Sequence, residues 1–208
     1  MNPSDNEKLK LYIKTFDELI FRGFYKKAKE ISNEFLKINP QNITVLEKKV
    51  SVLNQIGEHD DVIKTCNILL NIDPQNFSAL LYKGRSLNSL GKYEEELEVL
   101  NIQLKINPRD DISQLWKIET LNRFHRYQEI LDFSNEILKI NPNNTIALNY
   151  KGSTLYKLGR YKESIEVSDI ALLINEKNAA ATIVKELSIN EISVDEFNNF
   201  FNKKTQSN

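Results

Sequence analysis

Residues 91–108 read GKYEEELEVLNIQLKINP: a glycine, an aromatic residue, an amphipathic run and a stop at Asn-Pro. The phrase returns as GRYKESIEVSDIALLINE from Gly159 and, more loosely, as GFYKKAKEISNEFLKINP from Gly23. The stop sets the period. Asn39-Pro40, Asp73-Pro74, Asn107-Pro108 and Asn141-Pro142 are each 34 residues apart, and Asn175 falls one period further on. Two residues after each proline stands Asn42, Asn76, Asp110 or Asn144, whose side chain can accept from the free N–H groups of a new helix. Proline therefore closes one helix and Asn or Asp opens the next.

Within residues 77–110, Leu80, Gly84, Leu87 and Leu90 recur at steps of three or four, as one face of a helix requires. Gly91 interrupts that helix. Tyr93, Leu97, Leu100, Leu104 and Ile106 then form a second stripe. Two helices of this length cannot enclose a core alone, so successive pairs must stack to bury their stripes.

In this periodicity the sequence resembles the tetratricopeptide repeat family, whose repeat is 34 residues long. The best copies are ALLYKGRSLNSLGKYEEELEVL and ALNYKGSTLYKLGRYKESIEVS. The resemblance implies an all-α fold: a right-handed α-solenoid of five helix-turn-helix repeats at 9–42, 43–76, 77–110, 111–144 and 145–178. Residues 1–8 are expected to be a flexible N-terminal segment. Residues 179–208 are expected to supply C-terminal capping helices and a tail, with AAATIVKELSIN as one helix. Ser193 and Glu196 form a capping box before a second, and Phe197, Phe200 and Phe201 would cover the end of the stack.

Departures from the family pattern carry their own expectations. The close-packing glycine of the first helix is present at Gly84 and Gly152 but replaced by Phe16, Val50 and Ile118. The residue it faces is Ala28, Val62, Glu96, Ile130 or Ser164. Phe16 with Ala28 and Gly152 with Ser164 compensate in volume; Ile118 with Ile130 does not, so the fourth repeat should be splayed relative to the fifth. Glu96 is expected to snorkel outward beside Gly84.

The 208 residues carry 28 basic and 29 acidic side chains, so no global field recruits nucleic acid or an anionic membrane. The single cysteine, Cys66, has no internal disulfide partner. No run of 18 apolar residues occurs, and the N-terminus lacks a signal-peptide core. A cytoplasmic protein is expected, in which N-x-S/T triplets such as Asn42-Ile43-Thr44 serve as helix caps.

The chain also lacks a legible catalytic constellation, and it is read as a non-enzyme with no cofactor and no metal. Gly84 and Gly91-Lys92 fail as a phosphate loop, because six residues intervene and Tyr93 stands where Ser or Thr is needed. Glu58 to Asp61 offers a histidine among carboxylates, but His59 takes the position filled by Tyr25, Tyr93, Tyr127 and Tyr161, which reads as a turn. His125 occupies a glycine slot. Cys66 lies on a core stripe and reads as packing rather than nucleophile.

What remains is a surface. Beside the core stripe of each first helix runs another: Lys10, Ile13, Lys14, Asp17; Thr44, Glu47, Lys48, Ser51; Ser78, Leu81, Tyr82, Arg85; Ile112, Leu115, Trp116, Glu119; Ile146, Asn149, Tyr150, Ser153. The resemblance implies that this stripe lines a concave groove for peptides or helices of partner proteins. Tyr82, Trp116 and Tyr150 stand one period apart, with Lys48 preceding them and Arg85, Arg123 and Lys157 flanking them. Such a row suits a protein segment with apolar anchors and some acidic residues, since aromatics and Arg dominate hot spots. It equally suits packing between repeats. The family's carboxylate clamp for chaperone C-termini is disfavoured. Its positions are filled, in one of three in-phase placements, by Ile13, Asp17, Lys48, Ser78 and Tyr82, and neither other placement does better. A protein-binding scaffold is the leading expectation; a self-associating structural module and the regulatory arm of an enzyme encoded elsewhere are the alternatives.

Overall fold

A computed structural model of the chain describes residues 3–193, and these are helical almost throughout. Eleven helices follow one another among the described residues: α1 Pro3–Phe21, α2 Tyr25–Ile38, α3 Ile43–Gln55, α4 His59–Ile72, α5 Phe77–Ser89, α6 Tyr93–Ile106, α7 Asp111–Arg123, α8 Tyr127–Ile140, α9 Thr145–Lys157, α10 Tyr161–Ile174 and α11 Ala179–Glu191. The chain divides into two compact units, Met1–Pro108 and Arg109–Asn208.

Odd-numbered helices from α3 on begin with a side-chain cap. Asn42, Asn76, Asp110, Asn144 and Asn178 accept from the third backbone N–H of their helices, at 3.1, 2.9, 2.8, 2.9 and 3.2 Å. Each even-numbered helix instead follows a tight turn. At the α5–α6 turn Gly91 has φ +71°, and its N–H and that of Lys92 close onto the carbonyls of Asn88 and Leu87. At the α7–α8 turn His125 adopts the same conformation, φ 55°, with the same pair of closing bonds to Asn122 and Leu121. A side chain there costs about 1 kcal/mol, and the exposed bond from His125 Nδ1 to Tyr127 Oη, 2.8 Å, returns little of it. His125→Gly is therefore expected to raise the urea midpoint, by roughly 0.5–1 kcal/mol of stability; a lowered midpoint would mean that the His–Tyr contact outweighs the backbone strain.

In the first unit, Leu46, Val50, Leu53, Val62, Cys66, Leu69 and Ala79 form a buried core drawn from α3, α4 and α5. Tyr12, Phe16, Ala28, Val45 and Val52 form a second core beside it, and Tyr12 Oη meets Ser32 Oγ at 2.9 Å. In the second unit the core is Leu131, Leu148, Leu155, Val167, Ala171 and Ala181. There α7 and α8 approach closely at far fewer places than α9 and α10 do. Ile118 and Ile130 are both fully buried. Between α9 and α10, Ser164 Oγ donates to the Gly152 carbonyl at 2.9 Å.

α1 starts at Pro3, inside the expected N-terminal segment, because proline is preorganised for a first helical position where no N–H is needed. Glu96 does not reach outward. It is 1% exposed, and Asn88 Nδ2 donates to both its carboxylate oxygens, at 3.0 and 2.9 Å, so hydrogen bonds compensate its burial. The rest of the expected cap, from Glu196 through Phe197, Phe200 and Phe201 to the tail, lies outside the described residues.

Candidate functional site

Within each unit, residues 34 apart occupy the same place on successive odd-numbered helices. In the first unit, Lys48 on α3 donates to Asp17 Oδ1 on α1 at 2.6 Å and lies 5.0 Å over the Phe16 ring. Tyr82 on α5 is half-buried and packs against the α3–α4 core. Leu81 beside it is half-buried, and Arg85, one turn on, is exposed.

In the second unit, Leu115 and Trp116 on α7 and Tyr150 on α9 are each half-buried. Tyr150 Oη donates to Glu119 Oε1 at 3.3 Å, repeating the Lys48–Asp17 spacing of 31 residues. Burial, then the neighbouring Glu119 carboxylate, push the Tyr150 phenol above its ordinary pKa. Arg123, in the last turn of α7, is exposed. Lys157, in the last turn of α9, donates to Asn122 Oδ1 at 2.8 Å and lies 5.4 Å over the Tyr127 ring. It thus reaches toward the α7–α8 turn. Tyr82, Trp116 and Tyr150 are thus each partly buried and partly exposed.

No protein-family model matches the chain, and no curated protein matches it. Solved structures do. A crystal structure of MamA superposes with a TM-score of 0.68 at 18% identity, covering 84% of this chain and 95% of that one. YrrB, described as a TPR protein with an unusual peptide-binding site, gives 0.63 at 16% identity over 84% and 90%. A tetratricopeptide repeat protein from Parabacteroides merdae gives 0.54 at 17% identity over 88% and 72%. The chain has the tetratricopeptide-repeat fold.

The tetratricopeptide register extends the site beyond the residues singled out from sequence. On α11, Ile183 and Leu187 fall on the positions of Asn149 and Ser153, and they are 55% and 42% exposed. The signal was the 34-residue spacing itself, carried past residue 178. The register also exposes a second repeated feature: Lys49, Lys83, Lys117, Lys151 and Lys185 all hold one position, and all are half-buried. Lys117 lies 4.0 Å over the Phe133 ring, and Lys185 pairs with Asp169 at 2.7 Å. Desolvation lowers the pKa of Lys49 and Lys117, with nearby carboxylates opposing it. Lys117 and Lys185 thus lie against the second helices α8 and α10.

The residues weighed for chemistry hold structural places. Cys66 is fully buried, and desolvation drives its thiol up to about 12, opposed weakly by Lys83. His59 begins α4, and its buried Nδ1 makes no hydrogen bond. Among the described residues, no three His, Cys, Asp or Glu side chains converge as a metal site, and no helix is long and apolar enough to cross a membrane.

Proposed function

We propose that the chain is a non-enzymatic protein-binding scaffold whose first-helix face holds an extended segment or a helix of a partner protein. The observation that carries this reading lies within the second unit. Trp116 and Tyr150 present half-open rings from equivalent positions of α7 and α9, in company with the exposed Ile112, Ile146, Ile183 and Leu187. Apolar and aromatic side chains on a rigid helical face are the usual anchors of a protein interface. In the first unit Tyr82, Leu81, Arg85 and Lys48 hold the corresponding positions. The exposed guanidinium of Arg85 favours acidic residues in the partner. The peptide-binding site named for YrrB is consistent with such a use of the fold.

The test is capture from lysate of the source cell, comparing wild type with Tyr82→Ala, Trp116→Ala and Tyr150→Ala combined, after circular dichroism shows an unchanged helical fold. Loss of at least about tenfold in affinity for the captured protein is expected, as for removal of a hot-spot cluster. Quenching or a shift of the emission of Trp116, the chain's one tryptophan, should accompany binding to the wild type. A partner held equally by the folded triple variant would place recognition elsewhere.

A further inference from the structure

One residue of the second helices α2, α4, α8 and α10 recurs in a role the sequence pattern does not announce. Leu36 of α2 packs on the α3–α4 core, and Leu70 of α4 packs on the cluster of Leu80, Leu87 and Val99. Leu138 of α8 and Leu172 of α10 pack on the second unit's core, which includes Leu148 of α9 and Ala181 of α11. These leucines share one repeat position. The surrounding sequences match too: SNEFLKI, CNILLNI, SNEILKI and SDIALLI, residues 32–38, 66–72, 134–140 and 168–174. Within the two units, α2, α4, α8 and α10 thus each pack a leucine against the helices that follow.

On the second repeat, Val45, Leu46, Thr65 and Leu69 are all buried, and Leu46 and Leu69 belong to the core that Leu36 packs against. Residues 34 earlier are Leu11, Tyr12, Ile31 and Phe35, and these border an open cleft of about 400 Å³ between α1 and α2. Lys8, Thr15, Glu34, Ile38, Asn39 and Asn42 complete its lining. Leu11 is 67% exposed and Ile38 79%, and among the described residues no second helix packs there. The cleft shares no position with the first-helix face and continues, by repeat symmetry, the interface seen inside each unit.

We propose that the α1–α2 cleft is a docking socket for a partner's amphipathic helix of the second-helix type, one that presents the leucine of an (S/C)-(N/D)-x-x-L-x-I segment. The occupant follows from the internal interface: a surface equivalent to those that take Leu36 in the second repeat and Leu70 in the third takes the same knob in the first. Complementarity of shape rather than charge selects it, because the rim offers one Lys and one Glu around an apolar floor.

The probe is a fluorescein-labelled peptide of residues 127–142, YQEILDFSNEILKINP, titrated into the full chain and read by anisotropy. Saturable binding is expected, weakened at least about tenfold by Leu138→Asp in the peptide and by Leu11→Asp with Ile38→Asp in the protein. Both protein substitutions sit on exposed side chains, so folding is retained; hydrogen exchange should show protection of α1 and α2 on peptide addition to the wild type only. Failure to saturate would overturn the proposal. So would binding that survives the Leu11 and Ile38 substitutions, or that is lost instead in the Trp116 and Tyr150 variant, which would transfer the peptide to the groove. A protein that self-associates through the cleft and excludes the peptide would replace the proposed partner helix by a second copy.

Discussion

Gly152→Leu is expected to lower stability by about 3 kcal/mol, the upper range for forcing side-chain volume into a packed helix pair. A Cβ at residue 152 would meet Ser168 Oγ at 3.4 Å and the Cγ1 atoms of Val167 and Val184 at 3.8 Å. One methyl fits at ordinary contact distance. The further carbons of leucine would enter space held by α10 on one side and α11 on the other, and separating α9 from α10 would break the bond from Ser164 Oγ to the Gly152 carbonyl. Gly152→Ala is the control: its Cβ sits at ordinary contact distance and alanine gains up to about 1 kcal/mol in helix propensity, so stability should hold or rise slightly. Urea unfolding followed by circular dichroism reads both. If leucine were tolerated as well as alanine, the close approach of α9 and α10 would not be a determinant of the second unit.

The second large effect concerns Cys66. With its thiol raised from 9.0 to about 12, the folded protein at pH 8 holds on the order of a thousandfold less thiolate than an unfolded chain, and thiolate is the species that alkylates. Burial removes access as well. Iodoacetamide modification at pH 8 is therefore expected to be slowed at least a thousandfold relative to the chain in urea, with reaction occurring through opening. The same shift makes stability depend on pH. Below pH 9 the thiol is protonated in both states and contributes no slope. Above 9 the unfolded chain loses the proton while the folded chain keeps it until about 12, so stability falls across that window. Wild type should lose about 1.4 kcal/mol relative to Cys66→Ala between pH 8 and pH 10. Rapid labelling of the native protein, or parallel pH profiles, would contradict the burial of this thiol.

Helix boundaries inside the array were legible because they are set by local chemistry. Asn42, Asn76, Asp110 and Asn144 cap the helices they precede, and the Asn-Pro and Asp-Pro pairs follow the helices they end. Packing that depends on a distant partner was less so. Glu96 looks out of place at a core position until Asn88, on the other helix of the pair, is brought to its carboxylate. Lys48 looked like an open groove cation, yet Asp17 of the preceding repeat holds it. The start of α1 is hard to read for a different reason: PSDNEK is polar enough to resemble a tail, while its proline favours a first helical turn. For the proposed binding face, periodicity names the positions, but how far each ring is embedded depends on neighbouring helices, which pack Tyr82 against the α3–α4 core and tie Tyr150 to Glu119.

The capping asparagines of the second unit have one more role. Asn144 accepts from Ala147 N–H while its Nδ2 donates to Gln114 on α7, and Asn178 accepts from Ala181 N–H while donating to Asn149 on α9. A single side chain thus holds the first turn of one helix and its attachment to the first helix one repeat earlier. Unwinding that turn releases the attachment, and pulling the two helices apart unwinds the turn. Local fraying and repeat separation are therefore one event, and each cap acts as a latch through which the repeats of this unit open and close together.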